Sequence, residues 1–436
     1  MQSKSSEHSN RVVYVVDGAR TPFLKMKGTP GNFSASDLAV SAGKELLARQ
    51  PFTPDKFEHV VIGCAGPSEE EANIARIIAL RLGCENKVPA FTVQRNCASG
   101  LQAIDSAAEL IREGRADLVL AGGCEAMSRA PLLLSSKMVN WMAKLRSAKG
   151  FGAKCQAILK FRPSYLTPVI ALLKGLTDPV VNMNMGQTAQ ELSFRFDISR
   201  KDMDEFAMHS HLKALEAQKK GLFAEISALY GTDSSVTEWD EGVRADSSME
   251  KLAKLKPVFE KFGSITAGNS SQISDGAALV ILASENAVKK YNLKVIAKIV
   301  DIKWAALDPT VMGLGPIHAM TPLLKDNQLS LNDIDHVEIN EAFAAQVIAC
   351  LKAWNDTEYC KQYLNLDSKM GELDATRLNP EGGAIAIGHP VGASGARLVL
   401  HCSEMMQKNN TKLAMASLCI GGGQGGAILL ERVSGV

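Results

Sequence analysis

Short apolar runs alternate with segments of helical periodicity along the first third of the chain. Residues 59–63, 90–93 and 118–121 are typical of buried strands, as is the run at residues 12–16. Between these runs, residues 36–49 and 98–113 carry apolar side chains at helical spacing. Strands that alternate with helices predict an α/β architecture in which both faces of a sheet are covered.

The second half of the chain repeats the plan of the first half. Residues 55–62 match residues 333–339, and residues 97–100 align with residues 392–395. The register then holds without a gap, so that residues 118–121 fall on residues 413–416. As evidence for the fold, such a repeat counts for more than the local propensities of single segments. It predicts a duplicated α/β domain with a pseudo-twofold axis.

A segment of different character, residues 128–261, separates the two halves. From Met127 to Thr177 it holds nine Lys or Arg residues and no Asp or Glu. Residues 186–218 read as helical, with apolar positions at regular spacing. We interpret the segment as an insertion folded over one domain, with the role of a substrate lid.

Length and composition set further limits. A chain of 436 residues is longer than a single hydrophobic core can organise, so two or three packed units are expected. The net charge of +1 argues against a general nucleic-acid binder, and no apolar run is long enough to span a membrane. The polar first residues lack a signal-peptide core, so the nine cysteines are expected to be reduced thiols in the cytoplasm. Without a CxxC or HExxH motif, no metal site is predicted.

Two candidate catalytic residues each precede a helix at equivalent places in the repeat. Cys97 follows a strand and opens a helix, where the dipole and free N–H groups lower a thiol pKa. The alternative is a buried structural cysteine. His389 lies in a Gly-rich loop that opens the repeated helix, and its neutral imidazole suits proton acceptance. The alternatives are a histidine bonded to backbone and a phosphate-binding loop, although GxxxxGK[ST] is absent.

Two further candidate catalytic residues lie at the ends of predicted strands. Cys419 precedes glycines 421–423 and 425–426, which let backbone N–H groups approach a ligand, and its thiol is suited to carrying protons. The alternative is a tight turn. Asn340 can hold a water or donate to an oxyanion, and its alternative role is a helix N-cap.

In this order and on a duplicated α/β fold, these motifs closely resemble the thiolase family over nearly the whole chain. The matching blocks are residues 96–100, 185–189, 266–271, 275–278, 312–316, 340–344, 388–395 and 419–426. The resemblance implies the thiolase fold, with two βαβαβαββ halves stacked in α-β-α-β-α layers. It implies an N-terminal domain of residues 1–128 plus 263–284, a loop domain of residues 129–262 and a C-terminal domain of residues 285–436.

The resemblance also implies residue roles. Cys97 becomes the acylated nucleophile, His389 takes its proton, and Cys419 handles the proton of the acetyl carbanion. One oxyanion hole comprises His389 and a water on Asn340, and a second comprises the N–H groups of Cys97 and Gly421. Coenzyme A is a co-substrate, and no bound cofactor is expected. Substrate contacts are assigned to the pantetheine-binding Ser271, to Met185 and Phe343 near the acyl pocket, and to Met312.

The expected reaction is thiolysis of a 3-ketoacyl-CoA in fatty-acid β-oxidation, and the alternative is an acetoacetyl-CoA thiolase that condenses two acetyl-CoA. A decarboxylating ketoacyl synthase would carry a second histidine where Asn340 stands, and a non-catalytic lipid-binding protein would lack at least one motif. The insert at residues 131–181 resembles that of β-subunit thiolases, which bind a hydratase/dehydrogenase subunit. Those subunits usually read His-Glu-Ala-Phe at residues 340–343, a departure that argues against this partner more than against the chemistry.

We expect at least a homodimer, with a tetramer as the other form. Apolar residues with a basic fringe in the insert, namely Met138, Trp141, Met142, Leu145 and residues 169–173, suit a peripheral contact with an anionic membrane. The alternative is a lid that guides the acidic phosphates of CoA.

Overall fold

The computed structural model describes residues 11–231 and 234–433. Its strands are β1 (Val13–Arg20), β2 (Leu24–Lys25), β3 (His59–Gly63), β4 (Ala90–Val93), β5 (Leu118–Ala126), β6 (Leu132–Leu133), β7 (Val169–Ile170), β8 (Leu229–Tyr230), β9 (Val236–Thr237), β10 (Ser274–Ser284), β11 (Ala297–Ala306), β12 (His336–Ile339), β13 (Leu413–Ile420) and β14 (Gln424–Arg432). Its helices are α1 (Ala35–Ala48), α2 (Ile74–Arg81), α3 (Ser99–Arg112), α4 (Ser136–Ser147), α5 (Phe151–Leu159), α6 (Ala171–Gly175), α7 (Met185–Arg195), α8 (Arg200–Lys219), α9 (Met249–Ala253), α10 (Glu285–Tyr291), α11 (Gly315–Asp326), α12 (Ala344–Trp354), α13 (Thr357–Tyr363), α14 (Ala384–Ile387) and α15 (Val391–Asn409).

The large sheet has the strand order β12-β13-β14-β11-β1-β10-β5-β3-β4, with β2 attached to β10. In the first half, β1, β10 and β5 are antiparallel neighbours, and β3 and β4 continue in parallel. In the second half, β11, β14 and β13 are antiparallel neighbours, and β12 continues in parallel. The two halves therefore share one topology, and the duplication predicted from the sequence is confirmed.

The halves join where β1 pairs with β11. Tyr14 lies opposite Lys298, with Val13 opposite Ile299 and Val15 opposite Ala297, so the pairing is symmetric about Tyr14 and Lys298. Each strand also has a bulge at the matching place, between Val15 and Asp17 in β1 and between Ile299 and Asp301 in β11. A pseudo-twofold axis through this pair accounts for both bulges.

Helices occupy three layers around the two halves of the sheet. Helices α3 and α15 pack against each other and against both halves, whereas α1 and α2 cover the outer face of the first half. Helix α11 covers the outer face of the second half, and α12 packs against α11. Separate apolar clusters fill the outer and central interfaces. This arrangement confirms the predicted α-β-α-β-α layers.

Glycines allow the first turns of α3 and α15 to touch. A Cβ on Gly100 would lie 2.8 Å from the carbonyl oxygen of Gly392, and one on Gly395 would lie 2.6 Å from the backbone nitrogen of Leu101. A Cβ on Gly123, in β5, would overlap the Gly392 carbonyl. Backbone therefore packs on backbone here, and no side chain fits between the elements.

Between β5 and β10 lies the segment predicted as an insertion. The helical prediction for residues 186–218 is confirmed, but the segment forms two helices, because Asp197 adopts a left-handed φ of 45° and Ser199 caps α8. Residues 169–173 are divided between β7 and α6. The division into three domains at residues 128 and 285 stays a prediction.

The basic part of the insertion has no interior of its own. None of residues 131–177 is buried, and Phe151 and Leu159 are 86% and 85% exposed. The Trp141 indole donates to the carbonyl of Ala157 at 2.8 Å and packs edge-on against Phe161. Among the residues with described positions, no helix is long and apolar enough to cross a membrane.

We expect Gly123→Ala to destabilise the protein, because the new methyl group must displace the first turn of α15. Overpacking of this kind costs about 1–3 kcal/mol, and a clash with backbone belongs at the upper end. Urea unfolding followed by circular dichroism measures the change. The control is Gly152→Ala in exposed α5, where a Cβ meets nothing; an equal loss in both variants would contradict the tight packing at Gly123.

Candidate active site

Cys97 lies in a tight turn between β4 and α3. Asn96 has a left-handed φ of 44°, which asparagine tolerates better than most residues. The Ser99 hydroxyl donates to the carbonyl of Asn96 at 2.7 Å and accepts from the backbone N–H of Arg95 at 2.9 Å. These bonds hold Cys97 at the start of α3 with its side chain partly accessible.

The Cys97 sulfur faces the backbone N–H of Gly421, which follows β13. Burial raises the pKa of the Cys97 thiol, although the hydrogen bond from Gly421 acts to lower it. The expectation of a lowered pKa is therefore wrong, because loss of solvation outweighs the hydrogen bonds from the backbone N–H groups of Gly421 and Cys97. The side-chain amide of Asn96 donates to the Gly421 carbonyl at 2.8 Å and so holds the glycine beside the thiol.

Cys419 is the second thiol of this group. It is buried near the end of β13, opposite Gly425 in β14. Burial raises the pKa of the Cys419 thiol well above its usual value, and the neighbouring Cys97 and Cys350 thiols raise it further. Both Cys97 and Cys419 are therefore protonated at neutral pH.

His389 is fixed in one tautomer. Its Nδ1 lies 2.6 Å from the Ser394 hydroxyl, which donates its own proton to the carbonyl of Pro390 at 3.0 Å. Nδ1 must then carry the imidazole proton, which leaves Nε2 with a lone pair. Burial lowers the pKa of His389 to about 4, with a further contribution from Arg397, so the ring is neutral and able to accept a proton.

Asn340 connects His389 to the strand that carries Cys419. Its side-chain nitrogen lies 3.4 Å from Nε2 of His389, and its backbone N–H donates to Ser417 at 2.9 Å. Its Oδ1 is buried and accepts no hydrogen bond from any residue in the described ranges. Phe343 occupies the N-cap position of α12, so Asn340 does not serve as a helix cap.

Two buried glutamates hold the loops of the site. Glu341 accepts from the Ser210 hydroxyl at 2.6 Å, from the Asn379 amide at 2.9 Å and from the N–H of Ile385 at 3.2 Å. These bonds fasten the segment before His389 to the end of β12. Sequence reasoning gave Glu341 no role, although a carboxylate inside the apolar block at residues 340–344 was an available signal.

Glu125, near the end of β5, acts in the same way on α15. It accepts from the backbone N–H groups of Ala65 at 2.9 Å, Gly66 at 3.0 Å and Gly392 at 3.0 Å. Gly392 lies in the first turn of α15, three residues after His389. Sequence reasoning missed Glu125 as well. A single carboxylate in an otherwise apolar strand was the signal that could have indicated its role.

Ser271 and Met185, two of the predicted substrate contacts, lie beside Ala342 and Gly421 respectively. Ser271 is half-buried, and its N–H donates to the Ala342 carbonyl at 2.9 Å. A Cβ on Gly421 would lie 3.2 Å from the Met185 sulfur. Phe343 packs edge-on against Phe259 at 5.9 Å, and Met312 belongs to the same apolar cluster. Sequence reasoning missed Phe259, because it lies in a segment without regular periodicity.

The structure brings the predicted residues into two linked groups. Cys97, Cys419 and Gly421 form one group, and Asn340 and His389 form the other. No direct hydrogen bond joins Cys97 to His389 within residues 11–231 and 234–433. The groups are held together by the contact between α3 and α15 and by Asn340 beside β13.

Comparisons with known proteins agree with this geometry. The family model "Thiolase, N-terminal domain" matches residues 13–286, and "Thiolase, C-terminal domain" matches residues 293–432. A β-ketoadipyl-CoA thiolase of Acinetobacter baylyi is 39% identical, over 96% of this chain and 99% of its own length.

Two solved structures are similar over the whole chain. Human mitochondrial 3-ketoacyl-CoA thiolase in complex with CoA has a TM-score of 0.83 and 35% identity, covering 97% of this chain and 98% of its own. The Bacillus anthracis acetyl-CoA acetyltransferase has a TM-score of 0.85 and 34% identity, covering 98% and 100%.

We expect the alkylation rate of Cys97 by iodoacetamide to rise about tenfold per pH unit through neutral pH, because the thiolate is the reactive form and the raised pKa keeps it scarce. Mass spectrometry of the peptide that contains Cys97 measures the rate, with glutathione as reference thiol. A rate that is constant between about pH 6 and 8 would instead indicate a thiolate–imidazolium pair.

Proposed function

Since this chain belongs to the thiolase family of acyltransferases, which use CoA as a substrate, we propose that it cleaves 3-ketoacyl-CoA with CoA. The products are acetyl-CoA and a shortened acyl-CoA, as in fatty-acid β-oxidation. The observation that carries the proposal is the pair of protonated thiols, Cys97 and Cys419, beside the N–H of Gly421 and next to Asn340 and the neutral His389.

In the first half-reaction, the Cys97 sulfur attacks the C3 carbonyl carbon of the substrate. The thiol proton passes to Nε2 of His389, the basic nitrogen of the tautomer described above. The bond between C2 and C3 then breaks, and the acyl group remains on Cys97 as a thioester. The electron pair stays on C2 of the departing acetyl-CoA enolate, which takes its proton from Cys419.

In the second half-reaction, the thiol of CoA gives its proton to the Cys419 thiolate and attacks the acyl thioester. The acyl group moves to CoA, and Cys97 recovers its proton from His389. Both thiols therefore end protonated: Cys97 regains its own proton, and Cys419 takes the proton of the CoA thiol in place of the one that left in acetyl-CoA. No redox step occurs.

Negative charge develops on oxygen in both half-reactions. The N–H of Gly421 already faces the Cys97 sulfur, which supports a role in stabilising the oxyanion formed there. Asn340 beside Nε2 of His389, with its buried Oδ1 ready to accept from a water, supports the role of the second oxyanion hole. Loss of one such donor typically costs a factor of about 10²–10³ in rate.

The residues around the proposed acyl position favour an apolar chain. Met185, Phe259, Met312 and Phe343 offer neither charge nor a hydrogen-bonding group there. The second candidate, an acetoacetyl-CoA thiolase that condenses two acetyl-CoA, uses the same catalytic groups. It is favoured by the likeness to the acetyl-CoA acetyltransferase.

We expect Cys97→Ala to abolish turnover and acyl-enzyme formation, whereas Cys419→Ala still takes an acyl group on Cys97. A proton carrier for the carbanion is not needed for simple acyl transfer. Mass spectrometry after incubation with acyl-CoA measures the adduct, and Cys155→Ala in the exposed insertion is the matched control. An adduct on Cys419 in the wild-type protein would overturn the assignment.

A substrate series distinguishes the candidates. Loss of 3-ketoacyl-CoA absorbance, followed with four-carbon to sixteen-carbon substrates and with β-ketoadipyl-CoA, gives kcat/KM for each. Faster cleavage of the longer apolar substrates supports the proposed function. Activity confined to the four-carbon substrate supports the acetoacetyl-CoA thiolase, and a preference for β-ketoadipyl-CoA would overturn the apolar acyl site.

We further propose that the protein forms a homodimer or tetramer in a reducing, cytoplasmic compartment, and that the basic insertion contacts an anionic membrane. Nine Lys or Arg residues without an acidic residue, and apolar side chains as exposed as Phe151 and Leu159, support the membrane contact. A hydratase/dehydrogenase subunit is the alternative occupant of this surface.

We expect the protein to float with anionic liposomes at low salt and to be released as salt rises, because about 1 kcal/mol of attraction per basic residue is screened by ions. A variant without residues 132–176 should not float. If the wild-type protein does not float at low salt, the membrane contact is excluded and the lid or a protein partner remains.

A further inference from the structure

Four buried side chains converge behind the proposed active site, between β12, the loop before His389 and α15. They are His336 and Glu338 on β12, Glu381 in the loop and His401 in α15. One ligand-type atom from each lies within 4.8 Å of the corresponding atom of every other. The thiolytic reaction proposed above uses none of the four.

The distances between these atoms are long for direct hydrogen bonds, although His336 and Glu338 are close enough to form one. Nε2 of His336 lies 3.3 Å from Oε1 of Glu338 and 3.9 Å from Oε2 of Glu381, and Nε2 of His401 lies 3.5 Å from the same Glu381 oxygen. Ordinary hydrogen bonds of this kind are about 2.7–3.2 Å long. Ligands bound at about 2.0–2.1 Å in a tetrahedron are about 3.3–3.5 Å apart.

Two of the converging atoms have no other partner. Nε2 of His401 and Oε2 of Glu381 are buried and make no hydrogen bond with any described residue. Leaving such atoms unpaired is costly in a protein interior. Both point into the cluster, which is where a bound cation would accept their lone pairs.

The surroundings complete the pattern of a metal site. Nδ1 of His401 lies 3.2 Å from a carboxylate oxygen of Glu225, which is the usual outer partner of a metal-bound histidine. Glu225 is in turn bonded by Arg20 at 3.2 Å. The second oxygen of Glu338 accepts from Arg397 at 2.8 Å, which leaves Oε1 directed at the cluster.

The buried charges also call for a cation. Two guanidinium groups face four buried carboxylates; the groups are Arg20, Arg397, Glu225, Asp240, Glu338 and Glu381. Although burial acts to lower it, the carboxylates of Glu225 and Glu381 raise the pKa of His401 to about 10, so without an ion a proton on this ring supplies one of the two missing positive charges. A divalent ion would replace that proton and balance both charges. A surface cavity of about 400 Å³, lined by Glu381 and Pro380, gives such an ion a route inward.

We propose that His336, Glu338, Glu381 and His401 bind one divalent transition-metal ion, with Zn²⁺ preferred for its tetrahedral nitrogen and oxygen coordination. With all four positions filled by protein, the ion is structural. It ties together β12, the loop before His389 and α15, the elements that position Asn340 and His389. The sequence analysis predicts no metal site, because these ligands follow none of the spacings it considered.

The test uses the full-length protein, stripped with chelator and reloaded with Zn²⁺ or Co²⁺. After desalting, elemental analysis should give about one ion per chain, and Co²⁺ should produce the intense visible absorption of a tetrahedral site. Zn²⁺ should raise the melting temperature, and chelator should reverse the rise. These readouts do not depend on thiolase activity, so they hold whether or not the proposed function is correct.

Two variants and one control locate the ion. Glu381→Gln and His336→Asn should each lose the bound metal and the Co²⁺ spectrum. Glu216→Gln changes a carboxylate that lines the same surface cavity but lies outside the cluster, and it should keep both. Circular dichroism checks that each variant folds.

Two results would overturn the proposal. One is wild-type protein that retains no more metal than Glu381→Gln. The other is Co²⁺-loaded wild-type protein that lacks the spectrum of a tetrahedral site. This second measurement uses only the wild-type protein, so it does not depend on whether a variant folds. Either result would assign the cluster to a network of hydrogen bonds and ion pairs among the histidines and carboxylates.

Discussion

Contact between the first turns of α3 and α15 is the constraint on which the site depends. Cys97 precedes one of these helices and His389 precedes the other, and no bond joins the two side chains directly. Their relative position is therefore set by backbone packing at Gly100, Gly123 and Gly392. A side chain at any of these positions would separate the helices and move Cys97 and His389 apart.

Buried carboxylates make this arrangement rigid. Glu125 fastens the first turn of α15, and Glu341 fastens the segment before His389, each by accepting at least three hydrogen bonds. Desolvation opposes burial of a carboxylate, and the donors offset that cost. Because the donors are mainly backbone N–H groups, the carboxylates fix the path of the chain as well as individual side chains.

Much of the fold was predictable because a duplication leaves its trace in the order of residues. The repeat placed Cys97 and His389 at equivalent helix starts without knowledge of any contact. The pKa of Cys97 was mispredicted, since it depends on how closely β13 and Gly421 approach from more than 300 positions away. The cluster around His401 was missed for the same reason, because it is assembled from residues distant in sequence. Phe259 was missed because its segment has no regular periodicity.

The raised pKa of Cys97 has a consequence for the enzyme between turnovers. Peroxides and electrophiles attack thiolates, and a thiol held in its protonated form is a poor target for them. Cys419, more deeply buried and with its pKa raised further, is shielded in the same way. Both thiols therefore stay in the less reactive form between turnovers. In the proposed reaction a thiolate exists only briefly, after His389 has taken the proton of Cys97 or the enolate has taken that of Cys419.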